Sequence, residues 1–143
     1  MSKRESIAGN IVTVLDAMSS PELKKITREP FEVNDLSDAQ FPAVWISTGD
    51  ETRSDITIGG SSITRQGAID YVLVGYVKGS SIDTARNALI EGIEEALDDD
   101  RTRGGYSKDT ETTLIEVDNG DMFPVGAIRV TVSVTYEYTT GST

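Results

Sequence analysis

The residues with the most capacity for chemistry lie in "DDDRTRGG", Asp98 to Gly105, where three consecutive carboxylates meet two guanidiniums and a glycine pair. Clustered carboxylates suggest a hard cation such as calcium, whose loops take acidic ligands at alternate positions and a glycine at the sixth. Counting from Asp98 puts Arg103 at the sixth position and the glycines one residue late. The spacing does not suit calcium. Two readings of the cluster stand side by side. In one, Asp98, Asp99 and Asp100 open a solvated loop at a helix C-terminus, where Arg101 and Arg103 offset their unfavourable position against the helix dipole. In the other, the same five side chains form a charged contact surface for another subunit.

Other constellations give less. The sequence has no histidine and no cysteine, which removes Ser-His-Asp and Cys-His arrangements, thiolate metal sites and disulfides. Glu94 and Glu95 are adjacent on a helix and do not face each other, so they are no general acid–base pair. Gly59-Gly60 and Gly104-Gly105 lack the Lys-Ser/Thr that would follow in a phosphate loop. "DNGD", Asp118 to Asp121, has the chemistry of a turn. The sequence therefore predicts no enzymatic activity, no catalytic or metal-binding residues and no cofactor.

A second charged group flanks a long polar passage, "TGDETRSDITIGGSSITRQGAIDY", Thr48 to Tyr71. Gly59-Gly60 between alternating residues signals a hairpin turn, because type I′ turns need positive φ at both central positions. The passage predicts an extended, two-stranded arm over 49–67. An isolated hairpin is marginal in water, so this arm is expected to be mobile until something orders it. Arg53 and Asp55 on one strand and Arg65 on the other could simply guard an exposed edge. Ile56, Ile58 and Ile63 favour contact with a neighbouring molecule, since a purely solvating arm needs no isoleucines.

The elements that would carry these groups are clearer. "SKRE" places Ser2 as N-cap with Glu5 three residues on, and Ile7, Ile11, Val14, Leu15 and Met18 follow at helical spacing. "SSP" at 19–21 ends that helix. Residues 23–33 read as a strand broken or kept at an edge by Pro30, and 41–49, "FPAVWISTG", as a strand covered on both faces. Trp45 there reads as core or interface filler. "AIDYVLVGYV" (68–77) is the candidate central strand. Ser80 with Asp83 suggests a second capping box, opening a helix whose stripe is Ile82, Ala85, Leu89, Ile93, Ala96 and Leu97. Strands at 112–118 and 123–140 flank Asn119-Gly120. In the last, Ile128, Val130, Val132, Val134, Tyr136 and Tyr138 alternate with polar residues, the pattern of a sheet with one buried face. These elements predict a single α+β domain over residues 1–143: a mainly antiparallel β-sheet with two α-helices on one face and a protruding hairpin arm.

Acidic residues outnumber basic ones by 24 to 13, a net charge of −11 in 143 residues. Tight binding to DNA draws on phosphate neutralisation by Lys and Arg, so this balance disfavours it and suits a soluble surface. The first fifteen residues have no uninterrupted apolar stretch of the signal-peptide kind, and no run reaches the roughly 18–20 apolar residues that cross a bilayer. Synthesis and use in the cytoplasm, or in something assembled there, is the expectation.

The order and pattern of the elements resemble the tail terminator proteins of long-tailed bacteriophages, the minor tail protein U-like family. The likeness rests on the first helix "RESIAGNIVTVLDAM", the strand "FPAVWISTGDET", the polar arm, the strand "GAIDYVLVGYV", the helix "SIDTARNALIEGIEEAL" and the closing "VTVSVTYEY". The resemblance implies a homo-oligomeric, hexameric ring in the virion, at the head-proximal end of the tail. That ring would sit on the tail tube protein, stop its polymerisation and present a surface to a neck or connector protein. DNA would pass its lumen without specific binding. Two alternatives remain: another head–tail connector such as a neck or stopper protein, or a soluble module binding a ligand or peptide between sheet and helices.

Overall fold

In the computed structural model, residues 2–56 and 63–139 are described. The first helix, α1 (Lys3–Asp16), begins where the capping pattern predicts, with the Ser2 hydroxyl accepting the Glu5 N–H at 3.2 Å. Glu5 does not complete the reciprocal half of the box. Its carboxylate turns instead to the Arg28 guanidinium. Ile7, Ala8, Ile11 and Leu15 are buried along one face.

A short strand β1 (Lys25–Thr27) follows, then two single 3₁₀ turns, then β2 (Ala43–Asp55), β3 (Thr64–Lys78), α2 (Ile82–Asp98), β4 (Asp109–Val117) and β5 (Val125–Thr139). They form one five-stranded sheet in the order β1-β2-β3-β5-β4. β1 runs parallel to β2, and the other pairings are antiparallel. The strand expected over 23–33 is confined to three residues and ends before Pro30, as a missing ladder donor requires.

Helix α2 departs from expectation at its start. Its N-cap is Ser81, without a side-chain capping bond, and Asp83 pairs with Arg86 three residues on. The Ser80–Asp83 capping box is therefore not formed. β4 and β5 are joined by a longer connection than a two-residue hairpin, closed by Phe123 N–H to Gly120 O at 3.1 Å and Val125 N–H to Met122 O at 2.8 Å. Gly120 there has φ +88°, a value that suits glycine.

Both helices pack on one face of the sheet, as expected. Ile69, Tyr71 and Leu73 of β3 and the even-numbered residues Ile128 to Tyr138 of β5 meet Ile7, Ile11 and Leu15 of α1 and Leu89, Ile93 and Leu97 of α2. A Cβ at Gly75 would lie 2.8 Å from the Leu89 side chain, so α2 rests directly on the β3 backbone there. The opposite face is only partly covered, with Phe31 packed edge-on against Tyr76 at 5.8 Å between ring centroids. Trp45, Val72, Val74 and Tyr76 are only half-buried, which corrects the expectation of a β2 segment covered on both sides.

Candidate interaction surface

The 49–67 arm is more than a two-stranded projection. β2 pairs with β3 out to Asp55↔Arg65, while β3 pairs on its other side with β5 out to Thr64↔Thr139. The stem is thus three strands wide and continuous with the main sheet, which corrects the expectation of an unsupported hairpin. Ile58 and Gly59-Gly60, at the expected turn, lie outside the described residues.

A β-bulge decides which side chains the stem turns toward the helices. Thr48 pairs with Tyr71 and Glu51 with Ile69, so β2 advances three residues while β3 advances two. Without that extra residue, strict alternation from Ile46 would aim Asp50 inward. The bulge aims Glu51 inward instead. Gly49 permits it: a Cβ there would lie 2.8 Å from the Asp70 carbonyl oxygen.

Glu51 becomes the centre of a cluster. Its carboxylate accepts from the Arg53 Nε at 2.6 Å, from the Tyr136 hydroxyl at 2.8 Å and from the Arg4 guanidinium in the first turn of α1. Its side chain is 5% exposed. Burial alone would raise the carboxyl, but the bonds from Arg53, Tyr136 and Arg4 outweigh that and hold it below its ordinary value. Arg53 also lies over the Tyr138 ring, 4.8 Å from its centroid, and its own basicity is raised by the bond to Glu51. Gly67 makes the reach possible. It stands between Arg53 and Tyr136 in the cross-strand row, and its Cβ would fall 2.6 Å from both the Glu51 carboxylate and the Tyr136 ring. The absent side chain opens a slot across β3. Tyr71 closes the group by donating to the Arg4 carbonyl at 3.0 Å, and burial pushes its hydroxyl up to about 12.

The predicted arm residues therefore divide. Arg53 is committed to this cluster, and Arg65 pairs with Asp55 across the stem at 2.7 Å. Ile56 is 46% exposed, beside the Ile56 N–H to Thr64 O bond that closes the described stem. Ile63 is half-buried. Sequence reasoning missed Glu51, Arg4 and Tyr136 as a unit. The signal available was the glycine pair, Gly49 in β2 and Gly67 in β3, each beside the charged residues of the stem.

The Asp98–Arg103 group is likewise an organised loop. Asp98 ends α2. Arg101 grips Asp109 of β4 through two bonds of 2.7 and 3.1 Å and reaches Asp98 at 3.2 Å. The Asp100 carboxylate would be raised by burial, but it accepts from the Gly104 N–H, Asn10 and Thr102, which hold it low. Arg103 is fully buried, with φ +50°. Its guanidinium donates to the Leu97 and Asp100 carbonyls at the C-terminal end of α2, where a cation is favoured. Burial lowers its pKa. That position removes Arg103 from any exposed contact surface and leaves Asp98, Asp99 and Arg101 outside. Asp99 is exposed, without an ion pair among the described residues.

Between sheet and helices the space is filled by core side chains. A cleft of about 340 Å³ lies instead at the C-terminal ends of α1 and α2, lined by Val14, Met18, Ser20, Gly92, Glu95 and Asp99 among others. Among the described residues no group of three or more Asp or Glu side chains is placed to hold a metal ion.

The sequence matches no known protein family and no curated protein. Among solved structures, the fold is similar to a chain of the virion of a native gene transfer agent particle. That likeness has a TM-score of 0.50 and 11% identity, and covers 94% of each chain. It is a likeness of fold.

Proposed function

We propose that this chain is a structural component of a phage-type virion, acting as a tail terminator: a ring, hexameric by the family resemblance, that caps the tail tube and receives the neck. The observation that carries the reading is the end-to-end fold likeness to a chain of a gene transfer agent virion, over 94% of both chains. Two features support it. The three-stranded stem, locked to α1 through Glu51, gives a rigid mount for contact with a neighbouring copy. The −11 net charge suits a ring that passes DNA without retaining it. The role is structural rather than catalytic, and assembly takes place in the host cytoplasm before the ring joins the head-proximal end of the tail.

The test is to assemble particles with a tagged copy of this chain and locate the tag by electron microscopy, alongside tail tube protein polymerising in its presence. Label at one position between head and tail, with tubes that stop growing, supports the reading. Label spread along the tube or over the head shell refutes it. Label at the head–tail junction without an effect on tube length transfers the chain to the neck or stopper class.

A further inference from the structure

β4 is a nine-residue edge strand, and its outer side pairs with no strand among the described residues. It has no Lys, Arg or Pro, which are among the usual guards of an exposed edge. Cross-strand partners share a face. Ile115 and Val117, opposite Val130 and Ile128, therefore face the helix side, while Glu111 and Leu114, opposite Ser133 and Thr131, face away from it. Leu114, Ile115 and Val117 are nonetheless 51, 40 and 54% exposed. α2 runs beside this edge: Arg86 reaches Asp118 just beyond one end of β4, and Arg101, just past α2, reaches Asp109 at the other. Ile90 and Glu94, at four-residue steps from Arg86, stand on the flank between. Each side of the edge thus offers apolar side chains beside a carboxylate.

Charge decides what suits this edge. The cations along it are already engaged: Arg86 by Asp83 and Asp118, Arg101 by Asp98 and Asp109, Lys108 by Glu137 and Arg129 by Glu116. Glu91 and Glu111 are exposed and Glu94 is half-buried, and none of the three holds an ion pair among the described residues. A second copy has little to offer them. Its cation-rich stretch, Lys24, Lys25 and Arg28, is balanced by Glu22, Glu29 and Glu32, and Lys24 and Arg28 are held by Glu22 and Glu5. We propose that β4 accepts an extended segment of a different protein, one that carries Lys or Arg among apolar residues. The segment joins the sheet through the outer backbone of β4. Its apolar side chains cover Leu114, Ile115 and Val117, and its cations meet Glu91, Glu94 and Glu111. The inference goes beyond the tail-terminator reading and does not depend on it, since neither ring nor tail enters the test.

The probe is a fluorescent peptide of Val-Val-Lys-Lys repeats, about as long as β4, which in extended form sets both Val and Lys on each face. Its binding is followed by anisotropy at about 0.1 M salt, where long-range attraction is screened. Two control peptides carry Glu for Lys, or Pro for the central valines, which bars them from a sheet. The expected result is saturable binding of the Lys peptide, with amide exchange slowed at 111–117. Either control peptide should bind at least about tenfold more weakly. So should the Lys peptide to the variants Glu94→Lys/Glu111→Lys and Ile115→Thr/Val117→Thr, once thermal unfolding has shown them folded. No binding by the Lys peptide overturns the inference, as does equal binding by the Glu peptide. Equal binding by the Pro peptide, or by the Glu94→Lys/Glu111→Lys variant, leaves only diffuse attraction to an acidic chain and overturns it too. If exchange at 111–117 instead slows with protein concentration in the absence of peptide, the edge belongs to a second copy and the different-protein partner is refuted.

Discussion

Substituting Glu51→Gln removes one charge from the arm root while preserving size. The carboxylate is the buried member of its cluster, at 5% exposed, whereas Arg4 and Arg53 are each 36% exposed and can regain water when it is gone. A hydrogen bond to a charged group contributes about 1.5–3 kcal/mol. Glu51 makes three, but Gln retains an acceptor oxygen and the exposed guanidiniums reduce the loss. The expected destabilisation is about 2 kcal/mol. For a chain of 143 residues, that corresponds to a Tm lower by roughly 8 °C at pH 7.

Its pH dependence provides the control. Glu51 is held below its ordinary value of 4.5, so between the two values the unfolded chain binds the extra proton. Stability from this group is then fully present above the ordinary value and is lost as pH falls through the folded one. The gap between wild type and Glu51→Gln should be open at pH 7 and should close as pH drops below 4.5. Hydrogen exchange should quicken at the amides of 49–56 and 64–70 more than at the core of α2. A variant with the melting temperature of wild type at pH 7 would refute the reasoning. So would a gap of undiminished size in acid, which would mean the loss is one of shape rather than charge.

Two further substitutions probe the same fold. Gly67→Ala places a methyl 2.6 Å from both the Glu51 carboxylate and the Tyr136 ring, and should cost about 1–3 kcal/mol by overpacking, read as a lower urea midpoint. Asp118→Ala removes an oxygen that accepts from Arg86 at 2.6 Å and from the Ala127 N–H at 3.0 Å, loosening the β4–β5 connection from α2. Arg86 keeps the Asp118 carbonyl and Asp83, so the expected cost is about 2 kcal/mol by thermal unfolding.

What the sequence made legible follows from periodicity. The two helices and β3 and β5 bury residues at regular spacing, and for them pattern and structure agree from Ile7 to Leu97 and from Ile69 to Tyr138. The places where reading failed are those where one local event changes the pattern. A single extra residue after Thr48 turned Glu51 inward, and alternation carried no trace of it. Arg103 stands between exposed Thr102 and exposed Gly104 in a charged run, yet its positive φ turns it beneath the end of α2. The Ser80–Asp83 capping box gave way because the helix starts one residue later, with Ser81 as N-cap, which puts Asp83 at the second helical position, where it pairs with Arg86. Glu51 and Arg86 find partners distant in sequence, which periodicity does not encode, whereas Arg103 bonds to the nearby Leu97 and Asp100 carbonyls through a backbone turn that periodicity does not mark either.

The distribution of charge connects these details to assembly. Guanidiniums and ammoniums are mostly answered within the chain, by Glu5, Glu51, Asp55, Asp38, Asp118, Asp109 and Glu137 among others. The surplus carboxylates, Glu91, Glu95 and Asp99 on and beside α2 among them, therefore face solvent without a counter-ion among the described residues. Two copies carrying −11 each repel at a distance, and only local complementarity can bring them together. Salt separates the two effects. A screening length of about 10 Å at 0.1 M suppresses the long-range repulsion more than it weakens pairs at contact. Self-association should therefore strengthen as ionic strength rises from low values toward 0.1 M, measured as molar mass by light scattering. Affinity for DNA would fall steeply over the same range, because it depends on released counter-ions. Association that instead weakens steadily from the lowest salt would mean that charge pairs dominate over the net field, and the surplus on α2 would lose its part in the argument.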